Sequence, residues 1–205
     1  MMNYNTETEQ KILSAAAEVF LEKGKGAARM QEIADRAGIN KALLHYYFRS
    51  KERLYDEVFK RLVSDFFNEL FDAIQDIEDI QLLLKAFIDN YIDLIAQRQR
   101  LIRFIIWEIE TGGGKMVELL KTIMQERGLT TIPIEVKIQK AIQEGKIAPV
   151  DSRHLILSLI GMCIYPFIAR PIVENIFQGI QVTSTEFLQQ RKTEIFNLIW
   201  NGIKK

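Results

Sequence analysis

Side chains that could bind a polyanion are concentrated between residues 40 and 53. Lysine and arginine can donate hydrogen bonds to phosphate oxygens, and tyrosine and histidine can reach phosphates or base edges. Four positive charges (Lys41, Arg49, Lys51, Arg53) stand here against one negative charge (Glu52), a local charge of +3, whereas the whole chain is neutral. The segment therefore has the composition of a nucleic-acid contact.

Catalytic and metal-binding chemistry is poorly represented. His45 and His154 are far apart, and the single cysteine, Cys163, lies in an apolar run. The glycine-rich segment 111–115 lacks the spacing of a phosphate-binding loop and a preceding strand. We predict no catalytic residue, no metal and no cofactor, so the chain is not expected to be an enzyme.

Two short helices would present the basic segment. Ile33, Ala34 and Ala37 share one helical face, and Gly38 follows where a left-handed residue can end a helix. Asn40 suits the N-cap of the next helix. In that second helix Leu44 and Phe48 share the face expected to be buried. Ala42 and Tyr46 then project from the opposite face, flanked by Leu43 and His45, so a helix-turn-helix is predicted.

A helix before this motif completes a small domain. Thr6 and Glu9 have the spacing of a capping box, and residues 12–20 carry an apolar stripe at helical spacing. The first helix is predicted to end near Gly24. A three-helix core of about fifty residues is small, so it is expected to pack on the helices after residue 50.

The segment MQEIADRAGINKALLHYYFRSKERL, preceded by a helix and a glycine-rich joint, resembles the TetR family of bacterial transcriptional regulators. The resemblance covers roughly residues 8 to 58. It implies an all-α fold, with an N-terminal three-helix DNA-binding domain at residues 1–50 and a larger helical effector-binding and dimerisation domain at residues 51–205. The predicted DNA-binding residues are Arg29, Asn40, Lys41, Ala42, Leu43, His45, Tyr46, Tyr47, Arg49 and Lys51.

The chain departs from the family pattern at the start of its second helix. Where the family commonly has threonine or serine, this chain has Ala28 and Arg29. We expect Arg29 to replace the missing hydroxyl contact by charge. His45 stands where the family often has tyrosine, and Asn40 replaces a frequent serine.

Beyond residue 50 the sequence predicts a succession of helices. One long helix is expected from Lys51 to about Asp76. The later ones are predicted at residues 81–96, 101–110, 115–127, 134–144, 152–168 and 185–203. Broad apolar coverage of the last two helices favours a homodimer interface there, an arrangement that the resemblance also implies; internal core is the alternative.

The resemblance further implies a cavity for a small effector in the larger domain. Aromatic, apolar and charged candidates for its lining are Phe66, Phe87, Tyr91, Arg103, Phe104, Trp107, Glu108 and Tyr165. The richness in Phe, Ile and Leu suggests an apolar or amphipathic effector.

These features together predict a dimeric regulator, a repressor by family default, that binds a pseudo-palindromic operator in double-stranded DNA and is released by its effector. The alternative is an all-helical protein-interaction or lipid-binding module without operator binding. No signal peptide or membrane span is evident, since the best apolar run, residues 155–169, is shorter than a span needs, and a cytoplasmic location is expected.

Overall fold

Helices account for nearly all of the regular structure. The computed structural model describes residues 4–205, and side chains from residue 7 onward. The eleven helices of this range are α1 (Tyr4–Ala27), α2 (Met30–Arg36), α3 (Lys41–Tyr47), α4 (Lys51–Asp72), α5 (Ile80–Gln97), α6 (Gln99–Glu110), α7 (Gly114–Glu126), α8 (Pro133–Gln143), α9 (Ser152–Ile168), α10 (Arg170–Ile176) and α11 (Thr185–Ile203). One isolated antiparallel bridge joins Ile147 and Lys204. The all-α prediction is confirmed.

Most predicted helix ends agree with the structure, and α9 and α11 begin and end where the apolar patterns place them. The long helix α4 is shorter than predicted, because residues 73–76 form turns. Helix α10 was not predicted at all. Helix α1 begins at Tyr4, so the predicted N-cap Thr6 lies inside the helix, and its side chain is outside the described residues.

Helix α10 follows α9 after a break at Ala169, and the two axes are bent by 73°. Pro171 lies in the first turn of α10, where its fixed φ is tolerated. Within residues 4–205 no single helix is long and apolar enough to cross a membrane. The bent pair α9–α10 passes that test by length and composition alone.

The chain divides into two compact units. The first comprises the described residues up to Asp65 together with Arg100–Leu119, and thus holds α1–α3, most of α4, nearly all of α6 and the start of α7. Its core contains an aromatic cluster, in which the fully buried Tyr55 ring lies 5.2 Å from Phe20 and 5.1 Å from Phe104. The first unit therefore combines the predicted DNA-binding helices with α6.

The second unit comprises Phe66–Gln99 and Leu120–Lys205. Helix α5 is its centre, since α8, α9 and α11 all pack on it. The Lys192 ammonium of α11, itself buried, lies 2.6 Å from the Asp93 carboxylate of α5 and fixes the two helices together. The boundary between the two compact units therefore lies within α4 and not at residue 50. The functional domains 1–50 and 51–205 remain a proposal.

Candidate nucleic-acid interface

The turn between α2 and α3 is a Schellman motif. Gly38 has φ 67°, the left-handed conformation that glycine adopts without strain. Its amide donates to the Asp35 carbonyl at 3.1 Å, and the Ile39 amide donates to the Ala34 carbonyl at 3.0 Å. These two bonds satisfy carbonyls at the end of α2 and fix the angle at which the chain leaves it. The predicted helix end at Ala37–Gly38 is confirmed.

Asn40 is the N-cap of α3, as predicted. Its side-chain oxygen accepts a hydrogen bond from the Leu43 amide at 2.7 Å. Leu44 is completely buried and Phe48 is 6% exposed, so both belong to the core of the first unit. Phe48 is the C-cap of α3 and not part of the helix, yet it still anchors the end of the element. A cap at one end and two buried anchors hold α3 in a single orientation.

The opposite face of α3 is free of the rest of the first unit. Ala42, His45 and Tyr46 are exposed there, and Tyr46 is exposed to 76%. The Tyr46 ring meets Tyr47 edge-to-face, with 5.6 Å between the ring centroids. A small residue beside a protruding tyrosine lets a helix approach a groove closely while one longer side chain reaches a base or phosphate.

Lys41 and Arg49 lie at the two ends of α3 and are exposed. Among the described residues neither has a hydrogen bond or ion pair. Their charges are therefore available to phosphate groups. Leu43 is half-buried on the flank of the helix.

Lys51 differs from the other cations. Its ammonium donates to the Gly26 carbonyl at 3.3 Å and to the Ala28 carbonyl at 3.2 Å, which spans the joint between α1 and α2. This intramolecular role was not predicted from the sequence. Arg29, the N-cap of α2, makes no side-chain capping bond. The predicted phosphate contact of Lys51 stays a prediction, as does that of Arg29.

Helix α1 is broken at Gly24, with φ 73° and ψ 169°, where the sequence predicted its end. Charged side chains then hold α2 beside α1. The Arg36 guanidinium donates to both carboxylate oxygens of Glu22 at 3.0 Å, and Lys23 lies 2.6 Å from Glu32. The hydrogen bond from Arg36 lowers the pKa of Glu22 below its ordinary value. These exposed pairs orient the helix more than they stabilise it.

Four of the predicted effector residues lie on α6 in the first unit. The Glu108 carboxylate is buried and accepts a hydrogen bond from the Tyr55 hydroxyl at 3.3 Å. Burial raises the pKa of Tyr55, and the nearby charge of Glu108 raises it further. Phe104 is buried against Tyr55, while Trp107 and Arg103 are exposed on the same side of the helix.

The other four lie in the second unit. Phe66, Phe87 and Tyr91 form a buried row, with 6.1 Å between Phe66 and Tyr91 and 5.5 Å between Phe87 and Tyr91. Burial raises the pKa of Tyr91. Tyr165 is instead 60% exposed on α9. The effector role of all eight residues stays a prediction.

No group of three or more His, Cys, Asp or Glu side chains in the described part of the chain is arranged to hold a metal ion. Burial raises the pKa of the Cys163 thiol to about 12, with the nearby Arg191 opposing this in part. The thiolate needed for nucleophilic chemistry is thus disfavoured at neutral pH.

A capped and anchored α3 with a free outer face, followed by an all-helical region, defines a helix-turn-helix transcriptional regulator. Residues 12–58 match the model of the bacterial regulatory proteins of the tetR family. RutR of Escherichia coli K12, an HTH-type transcriptional regulator, is 26% identical over 200 residues, which cover 96% of this chain and 90% of RutR. The chain is thus similar to the tetR family over its DNA-binding helices and to a transcriptional regulator over nearly its whole length.

Two further similarities cover different amounts of the chain. The HTH-type transcriptional activator FasR of Mycolicibacterium smegmatis is 36% identical over 99 residues, which are 48% of this chain and 45% of FasR. The crystal structure of FadR from Bacillus subtilis in complex with stearoyl-CoA has a TM-score of 0.67 at 20% identity. It covers 95% of this chain and 98% of that one, which extends the fold similarity well beyond the DNA-binding helices.

Proposed function

We propose that the chain is a repressor that binds a pseudo-palindromic operator as a homodimer and is released by a small-molecule effector. The observation that carries operator binding is the free outer face of α3, with Tyr46 exposed on a helix whose position is fixed at both ends. Ala42, Leu43, His45, Tyr46 and Tyr47 would meet base edges or nearby phosphates. Arg29, Lys41, Arg49 and Lys51 would supply the electrostatic contacts.

The homodimer is supported by an unpaired apolar face on α9. Leu157, Tyr165 and Ile168 are exposed at intervals of eight and three residues, and the exposed Gly161 lies between the first two. One helical face thus combines apolar side chains with a residue that allows close approach. Leu198, exposed to 63% on the neighbouring α11, extends the face.

Several residues that suggested the interface from sequence are buried within one chain. Leu155, Ile156 and Leu159 of α9 are buried, as are Ile195 and Ile203 of α11. The proposed interface therefore uses Leu157, Tyr165, Ile168 and Leu198. We expect Leu157→Glu to yield monomers in analytical ultracentrifugation, with Leu82→Glu, an exposed leucine on α5, as the matched control that leaves the parent's mass unchanged.

Effector release is supported by aromatic residues in both units and by the neighbour FadR, whose structure holds stearoyl-CoA. The relative FasR is an activator by name, so the sign of regulation is tested separately. A promoter fusion carrying the selected operator should show higher expression when the regulator gene is deleted. Lower expression after deletion would replace repression by activation.

Operator binding is tested by selecting bound fragments from random-sequence DNA and measuring gel shifts across a salt series. The expected site has two half-sites one helical turn apart, ~34–36 Å between centres. Binding should weaken steeply with salt, since several phosphates are contacted. If no selected fragment binds more tightly than random DNA, the chain is instead an all-helical interaction or lipid-binding module.

A further inference from the structure

A cleft in the first unit lies beside the break in α1. Its volume is about 460 Å³, within the range of small-molecule sites. One side is formed by α1 with Phe20, Leu21, Glu22 and Gly24, and α6 forms the other. Arg100, Arg103, Phe104 and Trp107 line it at intervals of three, one and three residues, so they lie along one face of α6.

The floor of the cleft is aromatic. Phe20 and Phe104 are buried, and both pack against the Tyr55 ring. Trp107 is 42% exposed and meets Tyr55 edge-to-face at 6.2 Å. An indole ring left open beside buried aromatic rings provides an apolar surface for a chain or ring of a ligand.

The rim of the cleft is cationic. Arg103 is exposed and has no hydrogen bond or ion pair among the described residues. Arg100 lies 4.0 Å from the Glu22 carboxylate, at the limit of an ion pair, while Glu22 is held by two hydrogen bonds from Arg36. Glu22, the single acidic residue that lines the cleft, therefore already binds Arg36 of α2. Arg100 and Arg103 of α6 can both bind an anion.

We infer that this cleft binds an amphipathic anion, with its apolar part on Phe20, Phe104 and Trp107 and its carboxylate or phosphate on Arg100 and Arg103. The cleft touches α1 where the chain turns at Gly24 toward α2, within the unit that carries the recognition helix. A ligand that favours one placement of α6 against α1 would thereby change DNA affinity. That regulatory consequence rests on the proposed function, whereas binding itself does not.

Binding is measured without DNA by the fluorescence of Trp107. The chain has two tryptophans, so Trp200→Phe leaves Trp107 as the only reporter. The probes are octanoyl-CoA, octanoate, coenzyme A and octanol, with calorimetry as a second measurement. Octanoyl-CoA or octanoate should change the emission saturably. Binding of octanoyl-CoA alone assigns a phosphate to the arginines, and equal binding of octanoate assigns a carboxylate.

Arg103→Ala should weaken this binding about tenfold or more, since a charge-assisted hydrogen bond is lost, and Arg100→Ala should do so as well. Lys121→Ala, which removes an exposed cation of the second unit, is the matched control and should bind like the parent. The inference would be overturned if octanol or coenzyme A bound as tightly as octanoyl-CoA. It would also be overturned by unchanged affinity in both arginine variants, or by no response to any probe. Loss of operator binding in gel shifts would leave these results intact, so the two proposals fail separately.

Discussion

Lys51→Met tests whether Lys51 holds the DNA-binding helices together. The substitution keeps the apolar stem and removes the ammonium that donates to the carbonyls of Gly26 and Ala28. Hydrogen bonds from a charged donor stabilise by about 1.5–3 kcal/mol each when they are well formed. The bond to Gly26, at 3.3 Å, is exposed, and the bond to Ala28, at 3.2 Å, is only partly buried. Because both are long, we expect about 1 kcal/mol each, or about 2 kcal/mol together.

That loss should be visible in urea unfolding followed by circular dichroism and as a lower Tm, by about 4–8 °C for a chain of this size. Amide exchange should quicken most in residues 24–37, because the α1–α2 joint loses its bridge. Arg49→Met is the matched control, since Arg49 is exposed and without a partner among the described residues. It should unfold like the parent yet lower the salt slope of DNA binding by about 0.9. Equal stability of the parent and both variants would refute the structural role of Lys51.

Surface, core and cap residues give three other predictions. Tyr46→Ala should lower specific DNA affinity without changing the melting curve, because Tyr46 is exposed. Phe48→Ala should destabilise the first unit by about 3–5 kcal/mol, because Phe48 is buried. Coincident melting curves for the two variants would contradict the assignment of Tyr46 to the surface and Phe48 to the core. Cys163, whose buried thiol has its pKa raised to about 12, should react with a thiol reagent at pH 8 only after unfolding in guanidinium, and rapid labelling of the native protein would be inconsistent with its burial. Asp151 accepts hydrogen bonds from the amides of His154 and Arg153, which lowers its pKa, so its contribution to stability is present above its unfolded pKa and lost as pH falls through the lower folded value. Asp151→Asn should flatten the stability–pH curve below about pH 4, and identical acid curves for variant and parent would disprove this.

Local chemistry made the helix-turn-helix predictable. A left-handed glycine and an asparagine cap act within a few residues, so Gly38 and Asn40 could be assigned from spacing alone. The separation of Leu44 and Tyr46 to opposite faces follows from helical periodicity in the same way. About a dozen residues were therefore enough to predict which face of α3 is buried and which face is exposed.

Contacts between distant segments could not be predicted in this way. Lys51 reaches carbonyls 23 and 25 residues before it, and its sequence neighbourhood is equally compatible with a phosphate contact. Helix α10 was missed because its seven residues are short, bury no side chain and begin beside a proline. The lining of an effector site depends on which helices pack together, and periodicity does not specify this.

Glu22 connects three helices of the first unit, since its carboxylate receives Arg36 of α2 and lies 4.0 Å from Arg100 of α6. Exposed pairs of this kind contribute little to stability, so charge alone couples α6 only weakly to the recognition helix. The aromatic contacts of Tyr55 with Phe20 and Phe104 are buried, and truncating one such ring costs about 3–5 kcal/mol. A shift of α6 must therefore either carry Tyr55 of α4, and with it α1, or break this packing. Because α2 is attached to α1, the aromatic cluster is the stronger of the two routes by which α6 can move the DNA-binding face.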